Sequence, residues 1–169
     1  MFEKFLKAPI LKGDRITLSV VNEGDKIPYF NLAVDKKENE FWGYDYTEDI
    51  LDTPTPDDFF NLLETLKNNK EELSFAIKND GEFLGEVVVH DFKNSDFEIG
   101  FRILPEFRKK GYVYESVSLL LDYIKNEVKP SKVRAKCYHK NIASKNLLIK
   151  LGFCLIEKDD AYFRFELLF

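Results

Sequence analysis

Two short segments carry the groups best suited to chemistry. In FEIGFRI (Phe97 to Ile103) the alternation places Phe97, Ile99, Phe101 and Ile103 on one face of a strand and Glu98, Gly100 and Arg102 on the other, so a carboxylate stands beside a position with no side chain. Just beyond Pro105, FRKKGY gathers Arg108, Lys109 and Lys110 ahead of Gly111, at the point where a helical pattern begins. The unpaired amides and dipole at a helix N-terminus favour an anion, and Gly111 permits close backbone approach. Such a turn suits a phosphate or pyrophosphate, with about 0.3–1 kcal/mol for each charge at the helix end. GxxxxGK[ST] is absent, so this is not a P-loop.

The elements that must position these groups follow from pattern and punctuation. RITLSVV (Arg15 to Val21) reads as a first strand, and Asp25 to Val34 as a weak helix with Pro28 in its first turn. DKKENEFWGYDYTEDILDT is acidic, aromatic and without periodicity, and reads as an irregular segment. Thr55 then caps a helix with Pro56 at its first position, Asp57 and Asp58 at the positive end of the dipole, and Phe59, Leu62, Leu63 and Leu66 on one face. LSFAI and EFLGEVVVH flank Asn79, Asp80 and Gly81, a hairpin signal, and FEIGFRI follows as the next strand. Helical spacing of Val117, Leu120, Leu121, Ile124 and Val128 predicts a helix over 114–128, closed by Pro130. VRAKCY is a strand, residues 143–151 a helix ending at Gly152, and FCLIE and YFRFELLF two closing strands. The expected fold is α/β: a mixed, mostly antiparallel sheet of six to seven strands flanked by about four helices, in a single domain over residues 1–169.

Composition narrows the function. Thirty acidic against 25 basic residues and a pI near 5.2 argue against a nucleic-acid footprint, which needs a basic face and not one basic turn. The opening MFEKFLKAPIL is broken by Glu3, Lys4 and Lys7, and no later apolar run reaches the length of a membrane span, so a cytoplasmic protein without membrane association is expected. Cys137 and Cys154, with His90 and His139, form no metal-ligand spacing; no metal is expected, and the cysteines read as buried reduced thiols. Both histidines read as structural or surface residues.

The two segments together resemble the GNAT superfamily of acetyl-CoA-dependent N-acetyltransferases. The family's [QR]-x-x-G-x-[GA] signature is met by Arg108, Lys109, Lys110, Gly111 and Tyr112, with Val113 in place of the final small residue. E-I-G-[FYW]-x-[IVL]-x-P (Glu98, Ile99, Gly100, Phe101, Ile103, Pro105) and N-x-x-S before a helix ending in L-G-F (Asn141, Ser144, Leu151, Gly152, Phe153) resemble the branch containing ribosomal-protein N-terminal acetyltransferases. The resemblance implies that the backbone of Arg102, Ile103 and Leu104 pairs with the pantetheine arm of acetyl-CoA, that residues 108–113 cradle its pyrophosphate, and that Asn141 touches the cofactor near the thioester. It implies direct attack of an amine on the thioester, with a strand N–H stabilising the oxyanion and Glu98 as general base. The tyrosine that many members use to protonate the thiolate is replaced by Leu148, which leaves Ser144 as the carried-over candidate.

In this family the region between the first strand and the second helix forms the acceptor side. Here Trp42, Tyr44, Asp45 and Tyr46 offer aromatic faces and negative charge suited to a cationic amine such as a peptide N-terminus, polyamine or amino-sugar. The same segment also reads as a surface loop covering the core or a partner copy, the protein being a monomer or homodimer. A non-catalytic acyl-CoA-binding regulatory module is the competing class on the same fold.

Overall fold

Asp80 and Gly81 turn the chain as their residue types predict, both at positive φ (47° and 85°), and join β3 (Glu72–Asn79) to β4 (Glu82–Lys93) in a two-residue hairpin. The computed structural model describes residues 1–36, 39–42 and 53–169. Before this hairpin come β1 (Leu11–Lys12) and β2 (Thr17–Val20), and after it β5 (Asp96–Ile103), β6 (Lys132–Tyr138), β7 (Cys154–Lys158) and β8 (Tyr162–Leu168). Their order in the sheet is β1-β2-β3-β4-β5-β6-β8-β7. Every neighbouring pair is antiparallel except β5 and β6, which run parallel.

Eight strands exceed the six to seven expected, because β1 is two residues long and shows no alternation in sequence. Five α-helices stand among the described residues: α1 (Phe2–Leu6), α2 (Lys26–Val34), α3 (Pro56–Asn68), α4 (Tyr112–Tyr123) and α5 (Ile142–Lys150). The unexpected one is α1, whose Glu3 and Lys4 interrupt its apolar pattern. It forms because Phe2 and Phe5 bury among Phe92, Phe97 and Phe75, with ring centroids 5.1–6.3 Å apart. At α3 the expected cap is complete: the Thr55 hydroxyl accepts from the Asp58 N–H, and the Asp58 carboxylate accepts from the Thr55 N–H. The helix beginning at α4 leaves α-geometry at Ile124 and closes in a π-turn through Val128, ahead of Pro130.

The alternation read in FEIGFRI divides two cores. Phe97, Ile99 and Ile103 join Val87, Val89 and Val133 beneath α1, α4 and α5, whose Phe5, Val117, Leu120 and Leu148 are fully buried. On the opposite face α2 and α3 pack Tyr29, Leu32, Phe59 and Leu63 against Ala76 and Phe83. Glu98, Gly100 and Arg102 share that second face. Of the cysteines, Cys137 is buried, but Cys154 is exposed, because β7 is an edge strand open to solvent on both faces; the expectation of two buried thiols is corrected here.

Candidate active site

Register decides what surrounds Glu98. It lies opposite His90 on β4 and Arg134 on β6, and His90 lies opposite Glu72 on β3, so Glu72, His90, Glu98 and Arg134 form one row across four strands on one face. Glu98 is 7% exposed. Its Oε2 is 3.3 Å from Arg134 Nη1, and its Oε1 is 3.3 Å from Lys136 Nζ and 3.9 Å from His90 Nε2. Arg134 is fixed in turn by Asp91 and Asp96, each at 2.8 Å. Burial lowers the His90 pKa, with the Glu98 charge opposing it, so the imidazole is neutral at pH 7. Glu72 was not singled out from sequence, and His90, read there as structural or surface, lines the cleft beside Glu98.

The parallel pairing of β5 with β6 ends at Glu98 and Arg134, after three register pairs. Beyond it the pairing stops, and a cleft of about 260 Å³ lies at this point of the sheet. Its walls include Trp42, Glu72, His90 and Glu98 from the α2/α3 face, and Ile99, Phe101 and Cys137 on β5 and β6. Leu104 donates its N–H to Leu84 O at 2.9 Å, on the β4 side. By antiparallel alternation the backbone groups of Ile99, Phe101 and Ile103 therefore point away from β4, toward the parted strand. The Arg102 side chain serves a different end. It pairs with the fully buried Glu86 (Nε to Oε1, 2.5 Å), donates to Asn39 Oδ1, and lies 4.3 Å from the Trp42 ring. Asn39 Nδ2 donates to the carbonyls of Leu32, Ala33 and Asp35 at the end of α2, so Arg102 ties that corner, and Trp42 with it, to β5. Trp42 lies over Gly100: a Cβ there would be 3.4 Å from Trp42 Cη2 and 3.0 Å from Val88 Cγ1. Tyr44, Asp45 and Tyr46 lie outside the described residues.

The basic turn is built for backbone exposure. Lys109 and Gly111 both have positive φ (60° and 83°), and Gly111 is the N-cap of α4 with no side chain capping the helix. The first amides of α4, from Tyr112 onward, are therefore left for another acceptor. Arg108, Lys109 and Lys110 are exposed, and Tyr112 and Val113 are half-buried. A residue missed in sequence braces this turn. Arg15, just before β2, donates Nη1 to Lys110 O at 2.9 Å and pairs with Glu115 through Nη2 at 2.9 Å, while its guanidinium lies 4.8 Å from the Tyr112 ring centroid. Its partners are about a hundred residues away in sequence, so no local signal marks it.

Asn141 is the N-cap of α5, its Oδ1 accepting from the Ser144 N–H at 3.1 Å. Ser144 hydrogen-bonds the Cys137 side chain; burial pushes that thiol up, while Ser144 and the nearby Lys145 charge pull it down. Tyr138 and Tyr162 close the cleft, their rings 4.4 Å apart, and the hydrogen bond between the phenols, with burial, drives Tyr162 to about 12. The arrangement thus places a basic turn ahead of an uncapped helix start, a gap where two strands part and a carboxylate at the gap's origin.

Comparison with known proteins agrees with this geometry. The model of the GNAT acetyltransferase domain matches residues 15–154. An uncharacterized N-acetyltransferase of Bacillus subtilis, YoaA, is 26% identical over 152 residues, covering 86% of this chain and 82% of its own. A spermidine N-acetyltransferase of Vibrio cholerae, solved with coenzyme A and spermine, superposes with TM-score 0.78 at 17% identity, over 92% of this chain and 96% of that one. The ribosomal L7/L12 α-N-protein acetyltransferase RimL, solved with coenzyme A, gives 0.79 at 14% identity, over 95% and 98%. At these identities the two structures speak for the fold. Among the described residues, no helix is long and apolar enough to cross a membrane.

Proposed function

The chain belongs to the family of GNAT acetyltransferase domains and is an N-acetyltransferase, and from that premise we propose that it moves an acetyl group from acetyl-CoA directly to a primary amine held in the cleft beside Glu98. The observation that carries this reading is the parting of β5 and β6 immediately after Glu98 and Arg134, which leaves a cleft lined by that carboxylate, in a chain whose α4 begins without a side-chain cap.

The residues present fit the co-substrate. The amides of Tyr112 and Val113, Gly111 without a Cβ, and the cations of Arg108, Lys109 and Lys110 would hold its pyrophosphate. The outward backbone groups around Ile103, between Arg102 and Leu104, would pair with the pantetheine arm as an added strand does. Asn141, whose Oδ1 caps α5, would donate from Nδ2 near the thioester. When bound, acetyl-CoA supplies an activated acyl carbonyl; a β5 N–H in the gap would stabilise negative charge on its oxygen. Glu98, pinned by Arg134 and Lys136, would accept a hydrogen bond from the attacking amine and guide its proton away through water. Ser144, beside Cys137, would return a proton to the leaving thiolate.

On the acceptor side, Glu72 and Glu98 together with Trp42 favour a cationic amine, and Tyr44, Asp45 and Tyr46 would extend that surface. A polyamine is present in the Vibrio cholerae structure, and a protein α-amine is the substrate class that RimL's name gives; both are cations at neutral pH. A panel of alkyl amines, polyamines, amino-sugars and peptide N-termini, followed by free-thiol release from acetyl-CoA, tests the reading. Amine-dependent release matched by acetylated product is expected. Release with no amine of the panel would overturn it.

A further inference from the structure

Glu98 is a poorly placed final recipient for a proton. Both of its oxygens face cations, Arg134 on one side and Lys136 on the other. Glu72, at the far end of the same row, differs on each point. It lines the cleft, and its Oε1 is shut off from solvent with no hydrogen-bond partner among the described residues. A buried carboxylate oxygen left unpartnered costs free energy unless the group is protonated or receives a donor from a ligand. The charged groups facing it are Glu86 from β4, Arg102 from β5 and its neighbour Glu71, with neutral His90 directly across the strand pair. Arg102 is engaged by Glu86 and Asn39. Burial first, and then the Glu86 charge, hold the Glu72 carboxyl up at about 7.

Resting on the acetyl-transfer reading, we propose that Glu72 is a second carboxylate of the active site, seating the acceptor's ammonium in the cleft and taking the proton that the amine must lose before it attacks. The step balances: the ammonium R–NH₃⁺ and the Glu72 carboxylate become the neutral amine and the Glu72 carboxylic acid, and the nitrogen lone pair released is the one that forms the new C–N bond. Glu72 stands two strand spacings from Glu98, about 10 Å along the sheet. His90 lies between them, opposite Glu72 in register and 3.9 Å from Glu98, so the neutral imidazole can accept on one nitrogen and donate from the other. After the product leaves, the acid returns its proton to solvent through the open cleft. Two carboxylates then divide the work. Glu98, paired with Arg134 and Lys136, orients the amine at the gap, and Glu72, basic near neutral pH, receives its proton.

The test compares wild type with Glu72→Gln on the fastest alkyl amine and the fastest peptide α-amine of the acceptor panel, across pH 5.5–9. Wild type should show an ascending limb in kcat/KM near pH 7, and Glu72→Gln should lose that limb. The variant should also fall about tenfold or more on the alkyl amine and less on the α-amine, whose lower pKa leaves less proton to remove. The KM for acetyl-CoA should not move. A pH profile superimposable on wild type, with both amine KM values unchanged, overturns the proposal alone. Absence of turnover by wild type with every amine overturns the acetyl-transfer reading and this proposal with it. Should Glu72→Gln fail to fold, Glu72→Asp serves instead: it should keep the limb and raise the amine KM, and an unchanged KM there overturns the proposal.

Discussion

Replacing Gly111 by valine tests the anion-binding turn on two observables at once. Gly111 sits at φ 83°, where an L-residue costs roughly 1–3 kcal/mol and a β-branched one falls at the upper end. A Cβ would also stand 3.3 Å from Arg15 Nη2, so the guanidinium must shift by a few tenths of an ångström. Arg15 is tied to Glu115 and to Lys110 O, but its side chain is about half exposed, and displacing it adds no more than about 1 kcal/mol. The combined loss of roughly 2–4 kcal/mol lowers the melting temperature by roughly 4–16 °C for a chain of this size. Binding suffers separately. The methyl groups stand in front of the first α4 amides, and losing one charge-assisted hydrogen bond, about 1.5–3 kcal/mol, weakens coenzyme A by tenfold to a hundredfold. Calorimetric titration with coenzyme A, performed below the variant's melting transition, reads the second effect free of the first. Arg108→Ala is the control: an exposed cation at the turn changes affinity about twofold to fivefold. Destabilised Gly111→Val that still binds coenzyme A with wild-type affinity would refute the placement of the pyrophosphate on this turn.

Three further outcomes are expected. Gly100→Ala puts a methyl 3.0 Å from Val88 and 3.4 Å from Trp42; the indole must move, so the amine KM should rise severalfold with coenzyme A affinity unchanged, as steady-state kinetics will show. Glu98→Gln should lower kcat by tenfold or more while keeping the neutral-pH limb, because the titrating group is Glu72, and a pH–rate profile distinguishes the two variants. Glu72 has its carboxyl raised in the fold from 4.5 to about 7, so the favourable protonated form is fully present below about pH 4.5 and its contribution is lost as pH rises through 7; Glu72→Gln should therefore match wild type in stability near pH 4 and exceed it above pH 7, by on the order of 1–3 kcal/mol, in urea unfolding at the two pH values.

Much of this arrangement was legible in local sequence. The alternation in FEIGFRI assigned both faces of β5 correctly, and Asp80–Gly81 and the Thr55–Pro56–Asp58 cap marked the hairpin and the start of α3 because each is a short-range device whose residues satisfy one another. What escaped depends on register. Glu72 and His90 are eighteen positions apart, His90 and Glu98 eight, and Glu98 and Arg134 thirty-six; only strand pairing makes them one row. Arg15 escaped for the same reason, and α1 because its helix owes its stability to Phe2 and Phe5 entering a distant aromatic cluster, not to its own pattern. Cys154 was misplaced because an edge strand and a buried one share the same short apolar sequence, and position in the sheet alone separates them.

The parallel junction of β5 and β6 has a consequence for how the molecule breathes. Three register pairs join a five-strand block, β1 to β5, to a three-strand block, β6, β8 and β7, whereas the antiparallel pairs inside the two blocks that involve β3, β4 or β8 extend over four to eight positions. Among the central strands the seam is thus the junction with the shortest backbone pairing, where amides should open most readily, and α4 with the shared core beneath it stitches the two blocks together. A ligand lying along the parted edge of β5 and resting on the start of α4 would supply the missing stitches. Its binding energy would appear chiefly as slowed amide exchange along that seam, distant from the anchoring phosphates, and the empty enzyme would exchange there fastest of all its central strands.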